Sequence, residues 1–191
     1  MYKFFAFLSR MKYIERWNLM HSNVRENIAE HTQSVCVIAH ALALITNRCL
    51  SGNVDEDKVL KLALYHECTE VITGDLPTPI KYFNAQIKTA YGELESYAAQ
   101  KLLSALPPEL QPDYQSNLLP DRDSEEFKHV KAADKLCAYI KCKEELSMGN
   151  REFKKAAAAL EREIKNIPLP ALEYFCKHFL PAFSLTLDEL E

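Results

Sequence analysis

The chain has 191 residues, enough for one sizeable core and short for two average domains, so a single domain over residues 1–191 is predicted. Hydrophobic residues make up 48% of it and only four residues are Gly, while Leu, Ala, Glu and Lys recur in long stretches, which favours an all-α bundle over a sandwich or barrel. A formal charge of -4 and a pI near 5.9, with Lys and Arg dispersed, argue against a phosphate-tracking surface, so polymeric DNA or RNA is not an expected partner.

From the N-terminus, Phe4 to Ile14 is amphipathic and leads into RWNLMHSNVREN, a polar and aromatic connector that reads as a loop. From Asn27 to about Arg48, Ile28, His31, Val35, Ile38 and Leu42 fall at three- and four-residue steps, a helical stripe with His31 on its core side. After a turn at SGN, a helix from about Asp55 to Thr73 places Val59, Leu62, His66 and Glu70 on one face, with Gly74 as its stop. DLPTP, residues 75–79, is extended because Pro77 and Pro79 remove amide donors and restrict their predecessors. A long helix is predicted over Ile80–Leu106, and residues 107–121, PPELQPDYQSNLLPD, are predicted to form a surface loop. A helix from about Ser124 to Met148 turns Val130, Ala133, Cys137 and Ile140 inward with Asp134 beside them, and short helices near 151–166 and 169–180 close the bundle.

The six cysteines, Cys36, Cys49, Cys68, Cys137, Cys142 and Cys176, form no CxxC pair and read as thiols of a reducing compartment. The apolar part of MYKFFAFLSRMK is too short for a signal segment, and no uninterrupted apolar run reaches the roughly 18 residues of a membrane span. A soluble, cytoplasmic protein without a membrane partner is therefore expected.

Singly, His31 and His66 read as core histidines and Asp134 as a carboxylate that needs a partner if buried. Together they put two imidazoles and a carboxylate on the inward sides of three helices, as bundles do when they build metal sites. YHECTE also approaches the zincin pattern H-E-x-x-H, but Glu70 stands where its second histidine belongs, which argues against a metallopeptidase. GxGxxG, P-loop and GxSxG signals are absent from the sequence.

Three segments, NIAEHTQSV, ALYHECTEVITGDLPTPIKYFN and KAADKLCAYIKCKEEL, resemble the metal-binding segments of HD-domain phosphohydrolases, and most closely the bacterial 5'-deoxynucleotidase family. The likeness extends to the early SRMKYIERW and the terminal FSLTLDE. It implies a single-domain HD-domain helical bundle, usually homodimeric, that removes phosphate from deoxyribonucleoside 5'-monophosphates with a divalent metal. By position it implies His31, His66, Glu67 and Asp134 as metal ligands, with His31, Glu67 and Asp134 also facing substrate. Arg16 would orient the phosphate and Trp17 would lie against the nucleoside. Asp75, Leu76, Pro77 and Thr78 would wall the sugar, and Glu70, with Arg16 and Asp75, would make up the catalytic set. Mixed nitrogen and oxygen donors suit Mn, Co, Fe, Ni or Zn better than Ca without choosing among them, and Co or Mn is the expected metal, with Zn, Ni and Fe as alternatives. The segment LEYFCKHFLPAF offers a dimer contact face, although core packing is the favoured reading of it.

One position departs from the pattern. His-Asp names the superfamily, and this chain has His66-Glu67. The added methylene matters because metal distances hold to within about 0.2 Å. Retained 5'-deoxynucleotidase activity is the leading expectation; the alternatives are an HD phosphohydrolase acting on diesters or dNTPs, and a metal- or nucleotide-binding relative weakened at Glu67.

Overall fold

Local chemistry sets most helix starts in the computed structural model, which describes residues 1–81 and 83–191; Tyr82, inside the GDLPTPIKYFN motif, lies outside the described residues. Helix α1, Phe4–Leu8, is followed by a 3₁₀ turn at Met11–Tyr13. Helix α2, Ile28–Leu44, begins at a reciprocal cap: Asn27 Oδ1 accepts from the amides of Ala29 and Glu30, and Glu30 Oε2 accepts from the amide of Asn27. It widens into a π turn, Ile45–Cys49. Helix α8, Glu125–Ser147, starts at Ser124, whose hydroxyl accepts from the Phe127 amide and whose first turn carries Glu125 and Glu126, which favour the positive helix end.

Three predicted elements are corrected. The helix expected over 55–73 is two helices, α3, Glu56–Tyr65, and α4, Glu70–Thr73, so YHECTE is not one α-helical run. The helix expected over 80–106 divides into α5, Thr78–Lys81, and α6, Ala85–Ser104, the latter capped by Asn84, whose side chain accepts from the Ile87 amide. The loop expected over 107–121 contains helix α7, Gln111–Leu118. Helices α9, Lys154–Lys165, and α10, Pro170–His178, fall where periodicity put them. No strand occurs among the described residues; an isolated antiparallel bridge joins Glu15 to Asn27.

The chain groups into two compact units, each assembled from separated stretches. The first comprises Met1–His21, Arg25–Gln33 and Leu64–Asp121, and its core gathers Phe4, Cys68, Ala99, Leu102, Leu106 and Leu118. There α6 packs against α1, α4, α5 and α7. The second comprises Ser22–Val24, Ser34–Ala63 and Arg122–Glu191, with a larger core that includes Val35, Leu42, Val59, Val130, Leu136 and Leu172. In it α8 packs against α9, driven by burial worth about 1.5–3 kcal/mol for each large aliphatic side chain.

Ile28–Cys49 is long enough to span a bilayer, with a mean hydropathy of 1.4 over its most apolar window. Ile28, Val35, Ala39, Leu42 and Ala43 are fully buried within the protein, which is how a core helix acquires the same composition.

Candidate metal centre

The first unit assembles the centre from three stretches of chain. A short backbone pairing sets its entrance: the Arg16 amide donates to Glu26 O at 2.9 Å, and the Ile28 amide donates to Ile14 O at 3.0 Å. These bonds hold Arg16 and Trp17 beside Glu26 and the start of α2. Trp17 sits at φ 58°, a left-handed conformation uncommon for a bulky side chain and one that must be held by its surroundings. One turn into α2, His31 is completely buried, its amide donating to Asn27 O.

Between α3 and α4 the backbone tightens. The amides of Cys68, Glu70 and Ile72 donate to the carbonyls of Tyr65, Glu67 and Thr69, each three residues back. At that pitch residues i and i+3 eclipse, so Glu67 lines up with Glu70; in a regular α-helix His66 and Glu70 would share a face. His66, its side chain 4% exposed, turns inward, and its Nε2 lies 3.4 Å from Glu67 Oε1. The rings of His31 and His66 are 5.6 Å apart between centroids. One ligand atom from each of His31, His66 and Glu67 lies within 4.8 Å of the others. Two nitrogens and a carboxylate oxygen at that spacing, in a largely buried setting, suit a divalent transition metal.

Electrostatics set the surrounding groups apart. Burial, followed by the charge of Glu67, pushes the Glu70 carboxyl far above the ordinary carboxylate range. Burial also raises Asp75, against the opposing pull of the Arg16 guanidinium. Asp75 follows Gly74, whose φ of 70° and ψ of 165° belong to a region essentially reserved for glycine. Asn18 Nδ2 donates to the Asp75 carbonyl at 3.1 Å. Leu76 and Pro77 are half-buried beyond it, and Thr78, exposed, begins α5. Burial, with the charge of Glu67 second, pushes the Cys68 thiol up to about 12, so this cysteine stays a neutral core thiol rather than a nucleophile.

Among the expected site residues, His31, His66, Glu67, Glu70, Arg16, Trp17 and Asp75 all belong to the first unit. Asp134 belongs to the second, on α8, with a side chain 14% exposed and Oδ2 accepting from Lys131 Nζ at 2.5 Å. Glu26 was missed by the sequence pattern: its Oε2 accepts from Arg16 Nη1 at 3.3 Å and from Trp17 Nε1 at 3.2 Å. Its partners lie nine and ten residues back, joined by strand-like pairing that no helical period reveals.

The fold is one that solved HD-domain phosphohydrolases share. An HD-domain phosphohydrolase from Listeria innocua superposes with a TM-score of 0.83 over 95% of this chain and 88% of its own, at 24% identity. A phosphohydrolase of cyanophage S-2L, bound to dA and one catalytic Zn2+, matches with a TM-score of 0.62 over 95% of this chain and 96% of its own, at 19% identity. At those identities the two show the fold. The sequence goes further: residues 3–183 match the 5'-deoxynucleotidase YfbR-like family, and the chain belongs to that family. The 5'-deoxynucleotidase of Pectobacterium atrosepticum is 50% identical over 98% of this chain and 94% of its own length, and that of Yersinia pestis 51% identical over 98% and 95%.

Proposed function

We propose that the protein is a metal-dependent 5'-deoxynucleotidase that hydrolyses deoxyribonucleoside 5'-monophosphates to deoxynucleosides and phosphate. The observation that carries this reading is the convergence of His31, His66 and Glu67 within 4.8 Å, beside a buried Glu70, in a chain of this family. His31, His66 and Glu67 would hold the metal. When bound, a divalent cation supplies charge for the phosphate dianion and lowers the pKa of a coordinated water toward about 7.

The remaining steps fall to the side chains. Arg16 presents a planar pair of donors to two phosphate oxygens and fixes the phosphorus for attack by water. Glu70, kept neutral by burial and the charge of Glu67 in the metal-free centre, would orient that water and, once ionised beside a bound cation, would take its proton as the new P–O bond forms. Asp75, within electrostatic reach of Arg16, would be the group that protonates the 5' oxygen as the old P–O bond breaks. Trp17 lies against the nucleoside, and Leu76, Pro77 and Thr78 wall the sugar. Co2+ or Mn2+ is the favoured metal, with Zn2+, Ni2+ or Fe2+ able to use the same donors.

Homodimerisation and a cytoplasmic location belong to the same reading. Exposed Phe179, Phe183 and Leu187 support the first, and six cysteines with no CxxC pair among them support the second. The test is phosphate release from dNMPs, NMPs, dNTPs and cyclic dinucleotides. Release from dNMPs, lost with EDTA and restored by Co2+ or Mn2+, is expected; release confined to triphosphates or diesters would move the protein to another activity, and none at all would leave a binding relative.

A further inference from the structure

We propose that Glu26 is the positioning residue of this centre, one carboxylate that holds the metal side and the nucleotide side in register. The proposal rests on the roles assigned above to His31, Arg16 and Trp17. The two oxygens divide the work: Oε2 receives Arg16 Nη1 and Trp17 Nε1, while Oε1 stands 3.8 Å from His31 Nδ1. A carboxylate facing one ring nitrogen favours the tautomer that keeps the proton there, which leaves the other nitrogen available to a cation.

The same oxygen pair sets the guanidinium and the indole. Arg16 and Glu26 side chains are 14% and 15% exposed, so the pair is largely removed from solvent screening. The backbone beneath Glu26 is fixed on both sides, by the Arg16 amide on its carbonyl and by the Asn27 cap that follows. Trp17, in its left-handed backbone conformation, has its ring tied to this carboxylate. A carboxylate that merely neutralised Arg16 would have no reason to reach His31 and Trp17 as well. The consequence is coupling: loss of Glu26 weakens metal binding and nucleotide binding together.

Trp17 is the chain's single tryptophan, so its emission reports the Glu26 bond directly in metal-free protein. Glu26→Gln keeps an oxygen for the indole but removes the charge that faces His31 and Arg16; Glu26→Ala removes both. Calorimetry with Mn2+ alone is expected to show roughly 10–100-fold weaker binding in either variant, the usual effect of losing a carboxylate behind a histidine ligand. At saturating Mn2+, KM for dAMP should rise roughly tenfold with kcat changed much less, the mark of lost ground-state binding. Emission should remain as in the wild type for Glu26→Gln and shift to the red for Glu26→Ala. Wild-type Mn2+ affinity and KM in Glu26→Gln would overturn the proposal, as would unshifted emission in a folded Glu26→Ala. Should Glu26→Ala fail to fold by circular dichroism, Glu26→Gln decides alone. A wild type inactive on every dNMP would sink the proposed activity, while the emission and Mn2+ measurements would still decide the role of Glu26.

Discussion

Glu67 carries one methylene more than the aspartate of a His-Asp pair, and the local backbone shows how the extra length is used. The turn at 66–69 leaves the α-helical path, and Glu67 Oε1 still comes within 3.4 Å of His66 Nε2. A site built round that reach should not tolerate a shorter side chain. Glu67→Asp is therefore expected to lower Mn2+ affinity and turnover by about tenfold or more, near 1.4 kcal/mol, measured by calorimetry and phosphate release. A gain in both would instead mark Glu67 as a damaged ligand. His31 and His66 were legible from apolar periodicity, since each falls on the buried side of its stripe. The pairing of Glu67 with Glu70 was not, because three-residue hydrogen bonding replaced the assumed 3.6-residue period. The partners of Glu26 were hidden for a related reason: a backbone bridge, not a helix face, brings them together.

At the scale of elements, helix-rich composition and long stripes made α2 and α8 readable to within a few residues. Helix α7 was not, since QPDYQSNL is polar and includes a proline. Pro112 sits in the first turn, where its missing amide costs no intrahelical bond, and Tyr114 packs edge-on against Phe4 at 5.0 Å. Tertiary packing of Tyr114 and Leu118 thus decides a segment that propensity leaves open. The start of α2 is the element on which the centre depends most, because its cap fixes the turn that carries His31. Asn27→Ala removes the acceptor for two amides and should cost about 0.5–2 kcal/mol in urea unfolding. The same variant should bind Mn2+ more weakly through displacement of His31. Unchanged stability would show that Glu30 and backbone pairing suffice at that helix start.

For the whole molecule, a single domain would unfold in one cooperative transition, whereas two compact units that unfold separately would give two. Acid stability should turn on the second unit. There Glu145, fully buried on α8, accepts from Lys141 Nζ at 2.7 Å, the amides of Asn23 and Val24 at 2.8 and 3.0 Å, and Asn150 Nδ2 at 2.8 Å. Burial alone would raise its carboxyl; these donors outweigh burial and depress it to about 2. A depressed carboxyl stabilises the fold above its unfolded value of 4.5 and loses that contribution as pH falls from there toward about 2. The loss should be about 2 kcal/mol by pH 3 and absent from Glu145→Gln, as read by urea midpoints between pH 6 and 3. The account as a whole stands on one cation per chain at His31, His66 and Glu67 serving phosphate release. Its most direct test is Mn2+ titration of EDTA-treated protein with dAMP hydrolysis followed in the same samples. The account predicts activity that rises in step with one bound equivalent and is lost in His66→Ala. Full release by the stripped protein, or a His66→Ala variant that binds Mn2+ and works as the wild type does, would contradict it.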